Sequence, residues 1–197
     1  MLKKENLFPT IIYSKDIKIN NSLLEEHIIN WSKKDIGIHK TNVNGWHSST
    51  NMYEKPEYQT LVKELFDMMF EIFKDENIDR RPVLGDMWAN INYLESYNLP
   101  HIHSNALYSG VYYVKTTKDC GNLIFDDPRP GTHIIKPTKT KEISSQIKVE
   151  PKEGRILIFP SWLWHAVEPN ISNSNRISVS FNFIQETLKP IEKGYNG

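Results

Sequence analysis

The chain predicts an α+β protein, mainly β, in which two N-terminal helices pack on one sheet of a double-stranded β-helix, or jelly roll. Amphipathic helical segments are confined to roughly the first 80 residues, and about eight short strand-like runs follow from Asp86 onward. Turn residues separate those runs at close intervals. Helices grouped ahead of a series of strands suit α+β better than an alternating α/β arrangement.

The first helix is predicted over 22–34, where Ser22 and Glu25 have the form of a capping box and Leu24, Ile28 and Trp31 follow at helical spacing. A second opens at Pro56, a favoured first-turn position, and carries Tyr58, Leu61, Leu65, Met68 and Ile72 on one stripe to about residue 75. The strand runs are 86–95, 100–104, 107–116, 121–126, 145–150, 154–159, 165–168 and 175–184. Between them, the polar, proline-bearing stretch 126–144 is expected to form a mobile loop or lid. The last run alternates: Ile177, Val179, Phe181 and Phe183 share one face, Arg176, Ser178, Ser180 and Asn182 the other.

At 197 residues the chain suits one domain over 1–197, with a helical part over about 1–80 and a jelly-roll core over about 86–184. Lys+Arg and Asp+Glu both number 24, so no global field draws in nucleic acid, and a polynucleotide partner is unsupported. No apolar stretch approaches the roughly 18 residues that span a bilayer, so no membrane partner is expected. The single cysteine, Cys120, and an N-terminus that lacks a signal-peptide core make the cytoplasm the expected location.

Three histidines draw notice. His101 and His103, separated by two, project from one face of an extended strand and can bind one cation with neighbouring nitrogens. His165 follows the "GRILIFPSWLW" run, where Gly154 and Pro160 bracket a buried strand and Pro160 turns the chain. Taken singly, His165 is better explained as a core histidine hydrogen-bonded to backbone than as a ligand. A same-face pair, a lone histidine 64 residues downstream and a basic residue, Arg176, on the following strand form a constellation. Trp88, Asn90 and Asn92 share a strand face and suit a pocket lining or hydrogen-bonded core amides. Trp162 and Trp164 suit packing better than substrate contact. His27, His39, His47 and His133 read as structural or surface residues, and 46–52 is expected near the pocket mouth.

On "WANIN" at 88–92, "HIHSNALYSGVYYV" at 101–114, "GNLIFDDPR" at 121–129, "GRILIFPSWLWHAVEP" at 154–169 and "RISVSFNF" at 176–183, the chain resembles the Fe(II)- and 2-oxoglutarate-dependent oxygenase superfamily. It is most similar to a 2OG-Fe(II) oxygenase branch distantly related to prolyl hydroxylases. The resemblance implies Fe(II) and 2-oxoglutarate as cofactors and molecular oxygen as co-reactant. It implies hydroxylation of an unidentified substrate, a small molecule or a protein side chain, with release of succinate and CO2. It also implies His101 and His165 as metal ligands, with His103 where most members have a carboxylate, and no catalytic residue beyond the metal centre. Arg176, eleven residues after His165, matches the clamp on the far carboxylate of 2-oxoglutarate, with Ser180 and Tyr113 as hydroxyl partners and Tyr112 facing the opposite layer. Position 103 leaves three assignments open: His103 is the third ligand, it only lines the pocket, or His103 and Asn105 form the pair with His101 behind them.

Two other classes compete. A cupin-type metalloenzyme that does not use 2-oxoglutarate fits the spacing of Gly154, Pro160 and His165, but a cupin expects a glutamate where Leu107 and Tyr108 stand. A non-catalytic jelly-roll binding module is the other.

Overall fold

The computed structural model describes residues 2–131 and 145–184. Among them, eleven strands form two sheets whose strands pair antiparallel. A six-stranded sheet has the order β1 (Tyr13–Asp16), β9 (Arg155–Pro160), β6 (Tyr108–Lys115), β11 (Arg176–Ile184), β4 (Val83–Asn92), β3 (Trp46–His47). A five-stranded sheet has the order β2 (Asn42–Val43), β5 (Tyr97–His101), β10 (His165–Val167), β7 (Leu123–Asp126), β8 (Gln146–Val149). The expected jelly-roll core is present, and two helices cover the larger sheet.

Helix α1 (Asn21–Ser32) begins one residue before the expected capping box, and its cap lies two residues before it. Asn20 is the cap: its side-chain oxygen accepts from the Leu23 N–H at 3.1 Å, and Ser22 already lies within the first turn. Helix α2 (Gln59–Asp75) follows a 3-10 turn at Pro56–Tyr58, and Leu61, Leu65, Met68, Met69, Ile72 and Phe73 are buried along it. These residues share a core with Ile177, Val179, Phe181 and Phe183 of β11. Phe66 of α2 meets Phe183 edge-on at 5.4 Å.

The apolar face of β11 is therefore covered by helices, and its polar face turns inward between the sheets. That arrangement decides where the site sits. A second dry core of Val111, Tyr113, Leu123, Phe125, Leu157, Phe159 and Leu163 fills part of the space between the sheets. The remainder is a cavity of about 450 Å³.

β1, β2 and β3 are absent from the sequence expectation; β2 and β3 have two residues each, too few to display an alternation. β5 lies at Tyr97–His101 rather than 100–104, so His103 stands just past the strand end. Trp162 and Trp164 are about half exposed, and Leu163 between them supplies the packing instead. Residues 132–144 of the expected lid, His133 among them, lie outside the described residues.

Gly110 on β6 is fixed by close approach. A Cβ there would overlap the Phe181 ring and lie 2.6 Å from the Leu157 carbonyl oxygen. Gly110→Ala is expected to destabilise the protein by about 1–3 kcal/mol, read as a lower denaturation midpoint at unchanged slope.

Candidate metal centre

His101 ends β5 and His165 starts β10, and the two residues face each other across that strand pair. On its other side His165 pairs with Phe125 of β7. The turn between β9 and β10 carries the chain from one sheet to the other. It is held by the Leu163 N–H donating to the Pro160 carbonyl at 3.0 Å and by the buried Leu163 side chain. His103 is anchored through its backbone N–H, which donates to the Ser161 carbonyl at 3.0 Å.

The three imidazoles converge. One ring nitrogen from each of His101, His103 and His165 lies within 4.8 Å of the other two. Ring centroids are 4.3 Å apart for His101 and His165, 5.0 Å for His101 and His103, and 5.2 Å for His103 and His165. His101 donates from Nδ1 to the Leu99 carbonyl at 2.7 Å, and His165 from Nδ1 to the Leu163 carbonyl at 2.8 Å. A carbonyl only accepts, so both rings carry their proton on Nδ1 and keep the Nε2 lone pair, the form a metal needs. His103 has no such ring bond among the described residues. Asn105 is exposed.

Burial holds all three imidazoles neutral. His165 is pushed down to about 3 by desolvation, with His101 adding to the effect, and His103 to about 4 by desolvation, then His101, opposed by Asp86. His101 is lowered by desolvation against the Leu99 hydrogen bond. The donor set fits a borderline divalent transition metal such as Fe(II). Phe159, at 4.8 Å from the His165 ring, and Trp88, at 5.9 Å from the His103 ring, wall the cluster in apolar surface.

Arg176 lines the same cavity and is 2% exposed. Its Nη1 makes only long bonds, to Asn92 Oδ1 at 3.3 Å and Ser178 Oγ at 3.4 Å, and its Nε is buried without an acceptor. Among the described residues no carboxylate pairs with it. A guanidinium buried with unused donors fits the carboxylate of 2-oxoglutarate. The Tyr113 ring lies 5.2 Å from the guanidinium carbon, and the Tyr113 hydroxyl is buried without a hydrogen bond. Burial raises the Tyr113 pKa, and Arg176 opposes the shift.

The remaining expected residues divide. Trp88, Asn90 and Ser180 line the cavity, and Asn90 Nδ2 donates to Ser180 Oγ at 3.1 Å. Asn92 is buried beside Arg176 and Asn98. Tyr112 faces the helices, where its hydroxyl donates to Asn21. Three functional candidates were not expected. Ser178 stands between Arg176 and Ser180 on β11 and is the hydroxyl the guanidinium reaches. His47 is a buried cavity residue stacked on Trp88 at 5.4 Å, rather than a structural or surface one. Asp86 lines the cavity at the far end of β4. The 176-178-180 alternation contained the signal for Ser178; no sequence motif marks the other two.

Residues 86–182 match the family described as "Putative 2OG-Fe(II) oxygenase". No curated protein matches the chain. Among solved structures, a prolyl-4-hydroxylase from Pseudomonas putida is similar over 90% of this chain and 94% of its own, at 12% identity and a TM-score of 0.62. A prolyl hydroxylase from Trichoplax adhaerens, in complex with a hypoxia inducible factor peptide fragment, is similar over 88% and 83%, at 12% identity and 0.62. HygX from Streptomyces hygroscopicus, with nickel, 2-oxoglutarate and hygromycin B bound, is similar over 89% and 83%, at 10% identity and 0.63. The family match spans β4 to β11, the segment that carries the three histidines and the buried arginine, and that segment is a 2OG-Fe(II) oxygenase core, of an oxidoreductase family.

Proposed function

We propose that the protein is a hydroxylase that holds Fe(II) through His101, His103 and His165 and 2-oxoglutarate through Arg176. The observation that carries this reading is the pairing of two needs in one cavity: three neutral imidazoles with converging lone pairs, and a buried guanidinium without a carboxylate. Bound Fe(II) and 2-oxoglutarate supply the oxidising chemistry, converting oxygen and the oxoacid to succinate and CO2 as a C–H bond is hydroxylated. The chain's own contribution is placement. The Leu99 and Leu163 carbonyls fix the ring orientations of His101 and His165, and Ser178 and the Tyr113 hydroxyl flank the guanidinium where a carboxylate would lie. Phe125 and Phe159 keep water from the histidines' inner side. Ser180 accepts from Asn90 and keeps its own O–H to donate to a carboxylate.

His103 is read as the third ligand in place of a carboxylate. A three-imidazole set leaves the metal its full charge before the dianionic cosubstrate arrives, which favours binding of that dianion. Anaerobic addition of Fe(II) and 2-oxoglutarate is expected to give a visible charge-transfer band, and admission of oxygen to yield succinate. A colourless mixture that forms no succinate would instead favour the cupin or binding-module alternatives. His103→Ala is expected to weaken iron binding by about tenfold or more, and His103→Asp to restore it. Equal iron affinity in wild type and His103→Ala would reduce His103 to a pocket wall.

The substrate is read as a small molecule or a protein side chain. The related fold accompanies a peptide in one neighbour and hygromycin B in another, so the cavity wall has to make that choice.

A further inference from the structure

The cavity continues past the histidines and Arg176 along the inner faces of β4 and β11. Along β4, Asp86, Trp88, Asn90 and Asn92 alternate onto the inner face, paired with Asn182, Ser180, Ser178 and Arg176 of β11. From Asn92 to Asp86 the strand covers about 20 Å at the usual rise. Arg176 and Asp86 therefore mark opposite ends of one wall. A five-carbon dicarboxylate anchored on Arg176 is too short to reach the Asp86 end.

Unused acceptors line the wall from that end toward its middle. Asp86 lines the cavity half-buried, and no hydrogen bond or ion pair engages its carboxylate among the described residues. Four residues along β4 from Asp86, about 13 Å at the usual rise, Asn90 donates its amide N–H to Ser180 and leaves Oδ1 buried without a donor. His47 donates from Nδ1 to the Ser48 carbonyl at 2.6 Å, which leaves Nε2 as an acceptor on a ring that burial keeps neutral. Lys40 also lines the cavity but is exposed at the rim.

We propose that the substrate of this site is a cation, an amine or a guanidine, whose charged N–H groups are taken by the Asp86 carboxylate, with Asn90 and His47 as acceptors for other donors along the same substrate. This assignment rests on the oxygenase reading and adds the substrate class to it. Fe(II) and the 2-oxoglutarate dianion cancel, Arg176 stands at the cofactor end, and Asp86 is the negative group at the substrate end. A neutral substrate of the same shape would leave the carboxylate and the Asn90 oxygen desolvated and unpaired, the arrangement that discriminates most strongly against an analogue lacking the donor.

The test compares n-butylguanidinium with n-butylurea, and n-pentylammonium with pentan-1-ol and pentanoate. Each is titrated into the anaerobic protein loaded with Fe(II) and 2-oxoglutarate, and binding is read by tryptophan fluorescence and by perturbation of the visible band. The cations are expected to bind at least about tenfold more tightly than their neutral partners, a difference of about 1.4 kcal/mol. Asp86→Asn, nearly isosteric, is expected to bring the ratio within about twofold, and Asp86→Glu to retain a preference. Fe(II) and 2-oxoglutarate should bind the Asp86→Asn variant as they bind the wild type. The proposal is overturned if no cation binds, if the neutral or anionic probes bind as tightly, or if the preference survives in Asp86→Asn. It is also overturned if that substitution weakens iron binding and leaves cation preference intact, because Asp86 would then serve the metal's charge. A wild-type protein that takes up neither Fe(II) nor 2-oxoglutarate refutes the oxygenase reading instead, and fluorescence titration of the metal-free protein still decides the cation preference.

Discussion

Arg176→Met is expected to make the cofactor-free protein more stable while removing its affinity for 2-oxoglutarate. The wild-type guanidinium is almost fully buried, makes two long hydrogen bonds from Nη1 and leaves Nε without an acceptor. A buried charge without its counter-charge is costly, and an apolar residue of similar volume in such a place commonly gains about 1–4 kcal/mol. In a chain of this size each kcal/mol moves the melting temperature by about 2–4 °C, so the iron-free, oxoacid-free variant should melt several degrees higher. Binding should go the other way. Loss of a buried charge-assisted pair costs about 2–5 kcal/mol, or roughly 30- to 5000-fold in 2-oxoglutarate affinity. The melting curves contain both readouts: added 2-oxoglutarate should raise the wild-type midpoint and leave that of the variant unmoved. A variant that melts lower and still responds to the oxoacid would remove Arg176 from the site.

The second large effect belongs to the two histidines that share one hydrogen-bonding pattern. His165→Ala and His101→Ala should each lose iron affinity by more than the roughly 10–100-fold that follows loss of a metal ligand's own hydrogen-bond partner. Succinate formation should fall with it. His165 is 5% exposed, so its removal also opens a void beside Phe159 and Phe125; His165→Gln fills more of that volume and separates folding from ligation. The measurement is anaerobic Fe(II) titration alongside far-UV circular dichroism of the metal-free variants. Retention of wild-type iron affinity in a folded His165→Gln protein would show that the cluster is a packed core of histidines.

Much of this arrangement was legible because strand alternation converts sequence spacing into a shared face. Arg176, Ser178, Ser180 and Asn182 could be assigned to one side of a strand from the "RISVSFNF" pattern alone, and the Gly154, Pro160, His165 spacing located the turn that carries a histidine between sheets. Alternation does not say which face looks inward. The polar face of an isolated strand is ordinarily given to water; here α1 and α2 claim the apolar face, and the polar one becomes the cavity wall. Trp162 and Trp164 failed for the related reason that size alone does not place a side chain on the buried side of a turn, and Leu163 holds that position.

The histidine spacing, the buried strand ahead of His165 and the arginine eleven residues beyond it are local patterns, and the amino-acid order determined them without help. His47 and Asp86 became site residues only when β3 paired with β4 and β4 with β11, a register that no local pattern sets. The same holds for convergence of the three imidazoles, which requires β5 and β10 to lie side by side although 64 positions separate His101 from His165. Local sequence fixes dihedral preference and facing, because those depend on near neighbours. Which faces meet depends on the burial of the whole chain, and that is decided only in the folded molecule.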